Sequence, residues 1–429
     1  MFSLNPFSTE KKNSNSIGLP KGMALGYFAI LIFMMGDGVE QGWLSPFLKD
    51  SGMEMDFSAT LFTVYGISIA LSSWLSGLFS ESLGTKLTMV LGTILFIIGT
   101  AIFVGFGLPH ENYILMLTGY AIRGFGYPLF AYSFLIWISY VCPKQQLGRA
   151  MGWFWFVFTG GLNVLGAYYS TWSIPILGYF GTLWSSLFWV VSGTLILFFI
   201  KGDDNRNTGD PNQVRPDMLA LLNSFKVFLG NKKIFIGGIV RMINTTAQFA
   251  FPVFLPIYFV EFGLSLNDWL QIWGTIFLVN ILFNLIFGFV GDRFGWKNTV
   301  IWFGGVGCFL STLLFCFSPF LFGADFWIIL AFGSLWGACL AGYVPLSALL
   351  PSLVNEQKGL AVSVLNLGAG LSVFMGPVLV RCFYSMVGPE GMVLILAFLY
   401  LLSAFMAKYL RMEETQSKKK GRREVLLTK

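Results

Sequence analysis

Charge is scarce in this sequence. Asp, Glu, Lys and Arg make up 11% of its 429 residues, against roughly 25% in an ordinary soluble domain. A water-facing surface needs more than that, so a soluble globular chain is excluded. Histidine is nearly missing as well: His110 stands alone in a polar stretch between two apolar runs, which rules out a multi-histidine metal centre. Cys142, Cys308, Cys316, Cys339 and Cys382 form no closely spaced pair, so neither a disulfide framework nor a zinc site is expected. The glycine-rich runs lack the lysine and the strand-to-helix setting of a phosphate-binding loop. With no nucleophile–base pair in view either, the chain does not read as an enzyme, and no cofactor or metal is expected.

What is present is apolar. Hydrophobic residues make up 55% of the chain and aromatic residues 17%, with a mean hydropathy of +0.72. The net charge of +6 does not mark a nucleic-acid binder, because the basic residues form no patch on a soluble domain. They lie in the short connections between apolar runs.

Runs long enough to cross a hydrocarbon core, roughly twenty residues each, begin near Gly22, Ser58, Leu87, Tyr113, Arg149, Gly178, Ile234, Asn267, Asn298, Phe326, Gly359 and Gly391. They predict an all-α membrane protein of twelve spans. The first run follows a polar stretch and lacks a small-residue cleavage site, so it is expected to be retained as a span. Of the 27 Lys and Arg, Lys49 and Arg381 are expected outside and Arg123 and Arg241 within the bilayer. The rest fall in the tails and even-numbered loops, which predicts cytoplasmic termini in a cell (inner) membrane. The predicted organisation is a six-helix bundle over residues 1–200, a cytoplasmic linker over 201–233, a second bundle over 234–411 and a basic tail over 412–429.

An internal repeat supports two similar halves. After span two, Gly77, Glu81, Gly84 and Lys86 follow the pattern G-x-x-x-[DE]-x-x-G-x-K; after span eight, Gly288, Asp292, Gly295 and Lys297 repeat it 211 residues later. Gly148 and Ala150 correspond to Gly359 and Ala361 at the same offset. Parallel repeats of six spans enclose a solute site near the midplane and permit alternating access.

These loops resemble the signature of the major facilitator superfamily, G-x-x-x-D-R-x-G-[RK]-[RK]. The second copy, with Asp292 and Arg293, is close to it, whereas the first has Glu81 for Asp and Ser82 for Arg. Arg123, in Y-A-I-R-G-F-G-Y-P, matches the family's intramembrane arginine motif on span four. Span five has Gly160 and Gly161 but no Gly-Pro pair, unlike the antiporter signature of drug exporters. More narrowly, G-D-G-V-E-Q-G-W-L-S-P-F-L over residues 36–48 is similar to bacterial pentitol (ribitol and D-arabitol) permeases, a group in which some members are labelled 2-oxoglutarate permeases. That resemblance implies proton symport of a sugar alcohol, with the loop motifs acting in gating.

The residues themselves point to candidate sites. Asp37 lies about fourteen residues, or ~21 Å, into span one, with Glu40 and Gln41 at i+3 and i+4 on the expected helical face. Carboxylates inside a membrane are costly and face a cavity or a partner; two on adjacent turns resist simultaneous ionisation, which suits one of them to proton exchange. Arg123, about eleven residues into span four, reaches a compatible depth. Asp37 is therefore either a coupling acid or one side of a static Asp37–Arg123 bridge. Span seven carries Arg241, Asn244 and Gln248 at helical spacing, and Gln248 is the repeat counterpart of Asp37. Arg241 reads equally as a gate, a packing residue or a ligand. Trp273, Asn280 and Asn284 on span eight, with Trp336, Tyr343 and Asn366 on spans ten and eleven, supply amides and aromatic faces that suit a hydroxylated chain; for each aromatic, core packing is the competing reading.

The expected activity is import of a small polyol with protons by a monomer whose partners are solute, protons and lipid. A dicarboxylate or sugar permease is the alternative, with Arg123 and Arg241 as carboxylate ligands. Asp37 and Glu40 in the same cavity oppose a dianion.

Overall fold

A computed structural model describes residues 22–142, 147–200, 231–353 and 358–410. The expected linker falls largely outside these residues and the basic tail wholly outside; the side chains of Glu81, Asn366 and Ala361 and the surroundings of Gly148 and Gly359 also lie outside the description.

Among the described residues, nine helices are long and apolar enough to cross a membrane. Two of them, Ala150–Leu197 and Leu367–Ala407, are each interrupted by a glycine of positive φ, Gly178 (69°) and Gly388 (67°), and so each supply two spans. Span one is completed from two shorter pieces, Ala24–Gly38 and Leu44–Asp50. The total is the twelve spans expected from hydropathy. Span two is Met55–Ser82, span three Thr85–Thr100 extended by a π-helical turn at Ala101–Gly107, and span four Tyr113–Arg123 continued by Gly126–Val141. Span five runs from Leu147–Thr159 through a π-helical turn, Gly160–Leu165, to Gly178, and span six continues from there. In the second half, spans seven to ten are Lys232–Glu261, Leu266–Phe294, Trp296–Phe322 and Phe326–Ser352, and spans eleven and twelve share Lys358–Ala407.

Polar side chains start several of these helices by meeting amides that have no partner inside the helix. Asn112 accepts from Leu115 N, Asn231 from Lys233 N and Ile234 N, and Asp325 from Trp327 N and Ile328 N. Ser265 and Asp268 form a reciprocal capping box. The repeat is visible in the backbone too: Gly84 and Gly295, the second glycines of the two loop motifs, have φ of 92° and 91°. A side chain would strain both positions, which explains why the pattern keeps glycine there.

Large apolar side chains point outward, as a lipid-facing surface requires. Phe289 and Met386 each keep 76% of their surface exposed, and Trp327 72%. The interior holds the charges instead: Arg123 is 0% exposed, Glu40 2% and Asp37 5%.

Candidate transport site

Span one breaks where its glycines concentrate. Helix ends at Gly38, and residues 39–43 turn before helix resumes at Leu44. Carbonyls released inside a membrane must find donors. Val39 O accepts from Trp43 Nε1 at 2.6 Å and from Ser170 Oγ, while Gly42 O accepts from Trp269 Nε1 of span eight at 2.9 Å. The break sits against the π-helical turn of span five, whose Leu162 carbonyl packs directly on Gly38. π-turns of this kind recur at functional sites.

The break separates the two acids. Glu40 Oε2 lies 2.5 Å from Arg123 Nη1, and its Oε1 accepts from Tyr120 Oη at 2.8 Å. The Arg123 guanidinium also lies over the Phe96 ring, 4.3 Å from its centroid. Asp37 has a different partner: Oδ1 accepts from Tyr65 Oη at 2.6 Å. The Tyr65 and Tyr120 rings stack with centroids 4.6 Å apart, so two phenols on spans two and four join the acids into one network. Arg123 is thus paired with Glu40, and the ion pair is not the Asp37–Arg123 bridge that sequence spacing allowed.

Asp37, Glu40, Gln41, Tyr65, Tyr120 and Tyr127 line a cavity of about 40 Å³, closed from the other half by Phe249, Pro252, Val373 and Pro377. That is room for on the order of three water molecules. All the charged lining belongs to the first half, and the second half contributes apolar surface. Gln248, which precedes the lining residue Phe249 in sequence, reaches across the halves, with Nε2 3.4 Å from Asn163 Oδ1 on the span-five π-turn.

The other candidates on the second half lie deeper in their own bundle. Asn280 Nδ2 donates to Gly337 O at 2.9 Å, and Asn284 Nδ2 to Asn280 Oδ1 at 3.4 Å. Trp273 packs against Trp269, Phe277 and Trp336. The Tyr343 hydroxyl is hydrogen-bonded to Ser403 Oγ of span twelve. Asn244 offers its carbonyl to Tyr400 Oη at 3.3 Å, while its Oδ1 has no hydrogen-bond partner among the described residues. Arg241 is the intramembrane cation without a carboxylate partner among the described residues; the Tyr132 phenol is its electrostatic neighbour.

In the loop motifs, Asp292 Oδ1 accepts from Trp296 Nε1 at 2.9 Å, and Lys86 Nζ donates to Ile200 O at 3.1 Å while lying over the Trp137 ring. Gly77 and Gly288 have open space where a Cβ would stand. Arg293 is exposed, and Lys297 is half-buried. At the opposite end of the bundle the halves are tied together. Ser45 Oγ donates to Val253 O at 2.5 Å, Arg381 Nη1 to Asp56 Oδ2 at 2.8 Å and Arg381 Nε to Thr60 Oγ1 at 3.0 Å; Lys49 Nζ stands 3.8 Å from Glu261 Oε1.

Tyr65, Tyr120 and Asn163 were missed by sequence reasoning. Tyr120 had a signal, because it precedes Arg123 by three residues and shares its helical face. Tyr65 had none, since nothing in span two says which way a lone phenol turns.

Comparison with known proteins places this architecture. The family model described as Major Facilitator Superfamily matches residues 26–279 and 270–428. The chain belongs to the Major Facilitator Superfamily. Within this superfamily it is 50% identical over 400 residues to the alpha-ketoglutarate permease of Bacillus subtilis (strain 168), covering 93% of this chain and 92% of that one. It is 36% identical over 404 residues to the D-arabinitol transporter of Klebsiella pneumoniae, covering 94% and 95%. A crystal structure of a D-xylose-proton symporter superposes with a TM-score of 0.69 at 14% identity, covering 91% of this chain and 99% of that one. The facilitator fold implied by the resemblance is therefore present, and this is a membrane-embedded secondary transporter of small molecules.

Proposed function

We propose that this transporter imports a small polyol, such as a pentitol, together with protons, by alternating access across the cell membrane with both termini in the cytoplasm. The observation that carries this reading is the unequal pairing of the two acids: Arg123 balances Glu40, while Asp37 faces the cavity with only a phenol on its carboxylate. An intramembrane carboxylate without a cation exchanges protons far more readily than one held in an ion pair. A neutral solute suits a cavity whose charged lining is acidic, and the similarity to a protein named D-arabinitol transporter supports the same class. The cavity is too small for a five-carbon chain, so solute enters when the halves part; the bonds from Ser45, Trp269 and Arg381 are then those of a form closed to the outside.

A second reading, a dicarboxylate as solute, draws on one specific observation. Arg241 lacks a carboxylate partner among the described residues, and the chain is similar to a protein named alpha-ketoglutarate permease. Under this reading Arg123 drops out as a ligand, because Glu40 occupies it, and Arg241 alone takes the anion.

The deciding experiment is uptake into proteoliposomes under an imposed proton gradient, with ribitol, D-arabinitol and 2-oxoglutarate offered separately and external pH recorded. Polyol accumulation with alkalinisation outside is the expected result. Accumulation of 2-oxoglutarate alone transfers the assignment to the second reading, and uptake that ignores the gradient removes proton coupling.

A further inference from the structure

Tyr65 sits where three things meet. Its hydroxyl donates to Asp37 at 2.6 Å, its ring stacks on Tyr120, and it lines the cavity. Its neighbour in sequence, Gly66, is pressed on the other half of the molecule: a Cβ there would stand 2.7 Å from Phe374 Cα and 2.8 Å from Val373 O, both on span eleven. The far side of Tyr65 is equally confined, since a Cβ on Gly124 of span four would stand 2.9 Å from the Tyr65 carbonyl. The main chain that carries the phenol is closely packed on both sides, and one of those sides is the seam between the halves.

Resting on the reading of Asp37 as the exchangeable acid, we propose that Tyr65 is a positioning residue that holds the Asp37 carboxylate in its charged form and sets the pH at which Asp37 takes up its proton. The chemistry is that of a donor and an acceptor. An ionised carboxylate accepts the phenolic hydrogen bond; a protonated one carries its own O–H and no longer needs that donor. Loading Asp37 thus loosens the tie to a residue fixed against span eleven. The titratable and charged groups that face Asp37 are Tyr65 on span two, Arg123, Tyr120 and Tyr127 on span four, and Glu40 across the break in its own span. Of these Tyr65 alone is hydrogen-bonded to it. Tyr120 makes the matching bond to Glu40, whose charge Arg123 already balances, and so serves as the internal control.

The test needs no solute. Infrared titration of the purified protein follows the C=O band of protonated carboxyl groups, and the part lost in Asp37→Asn belongs to Asp37. Tyr65→Phe removes one hydroxyl from the charged state, so the midpoint of that band rises by about one to two pH units, the size expected for a hydrogen bond to a charged group. Tyr120→Phe leaves the midpoint near that of the unsubstituted protein. A Tyr65→Phe midpoint equal to that of the unsubstituted protein, or an equal shift in both variants, overturns the assignment while leaving Asp37 as the coupling acid. Absence of any Asp37-dependent band across the titration removes the coupling reading itself, and this assignment with it. Should Tyr65→Phe not fold, Tyr65→His supplies the second variant: an imidazole able to donate keeps a midpoint closer to the unsubstituted value, and failure to do so in folded protein also overturns the proposal.

Discussion

Arg123 Nη1 stands 2.5 Å from Glu40 Oε2, and both side chains are almost completely buried. The pair links the break in span one to span four. Removing one member leaves the other stranded in low dielectric. Asp37, one helical turn away in sequence, is outside the ion pair and accepts from Tyr65 instead, so the two acids respond differently to the same chemical change.

Asp37→Asn imitates the protonated acid and leaves the Glu40–Arg123 pair intact. Accumulation against a gradient should fail, while counterflow, in which loaded carrier reorients without releasing its proton, should persist in part. Glu40→Gln strands Arg123 and should cost about 3–5 kcal/mol of stability, with counterflow and accumulation lost together. Thermal unfolding in detergent, run beside both transport assays, separates the two. Proton-driven accumulation by Asp37→Asn at the unsubstituted rate would falsify its coupling role.

Gln248 and Asn280 are expected to part company. Gln248 reaches across the seam between the halves, and Gln248→Ala should weaken solute binding by roughly tenfold with little change in stability. Asn280 is spent on the Gly337 carbonyl, and Asn280→Ala should lower stability by ~1–3 kcal/mol with affinity nearly unchanged. Equilibrium binding and thermal unfolding of both variants check the assignment.

Gly66→Ala tests the seam. The added methyl meets the backbone of span eleven at Phe374 and Val373, and backbone cannot yield as a side-chain tip can. Overpacking of this kind costs about 1–3 kcal/mol, which should depopulate the present arrangement of the halves by roughly five- to 150-fold. Cysteine pairs placed across the Asp56–Arg381 contact should cross-link less efficiently in the variant; unchanged cross-linking would show that the seam tolerates the methyl.

Arg241→Gln separates the two solute readings. Polyol uptake should change by less than about threefold, because no polyol contact is assigned to this cation, whereas a carboxylate held by Arg241 alone would lose on the order of a hundredfold in affinity, as for the loss of a charged hydrogen-bonding partner. Concentration-dependent uptake of each solute reads the difference.

The spans, their number and the repeat were legible because hydropathy and loop glycines report the bilayer and the backbone directly. The site was only partly so. Asp37 and Glu40 were placed on one face by counting i+3, but that count assumes an unbroken helix, and helix ends at Gly38 between them. On span ten the sequence placed Tyr343 only within an apolar run; it sits in a 3₁₀ turn, Ala341–Tyr343, with its hydroxyl bonded to Ser403 on span twelve. Asn163 went unnoticed because a π-turn inserts an extra residue and rotates the helix beyond it. Helical arithmetic identifies neighbours only where the helix is regular, and the cavity is lined in part by the break in span one and by Leu162 of the span-five π-turn.

The carbonyls freed where span one breaks have a genetic consequence. Val39 and Gly42 take part through main-chain oxygen, which every amino acid possesses, so replacing either residue does not delete its acceptor. Of these three bonds the one from Trp269 joins the halves, while those from Ser170 and Trp43 brace the break within the first half; each is lost by substitution on its donating side. A scan of span one by substitution would strike these bonds at Trp43 alone, and the tie between the halves would be found from span eight, at Trp269.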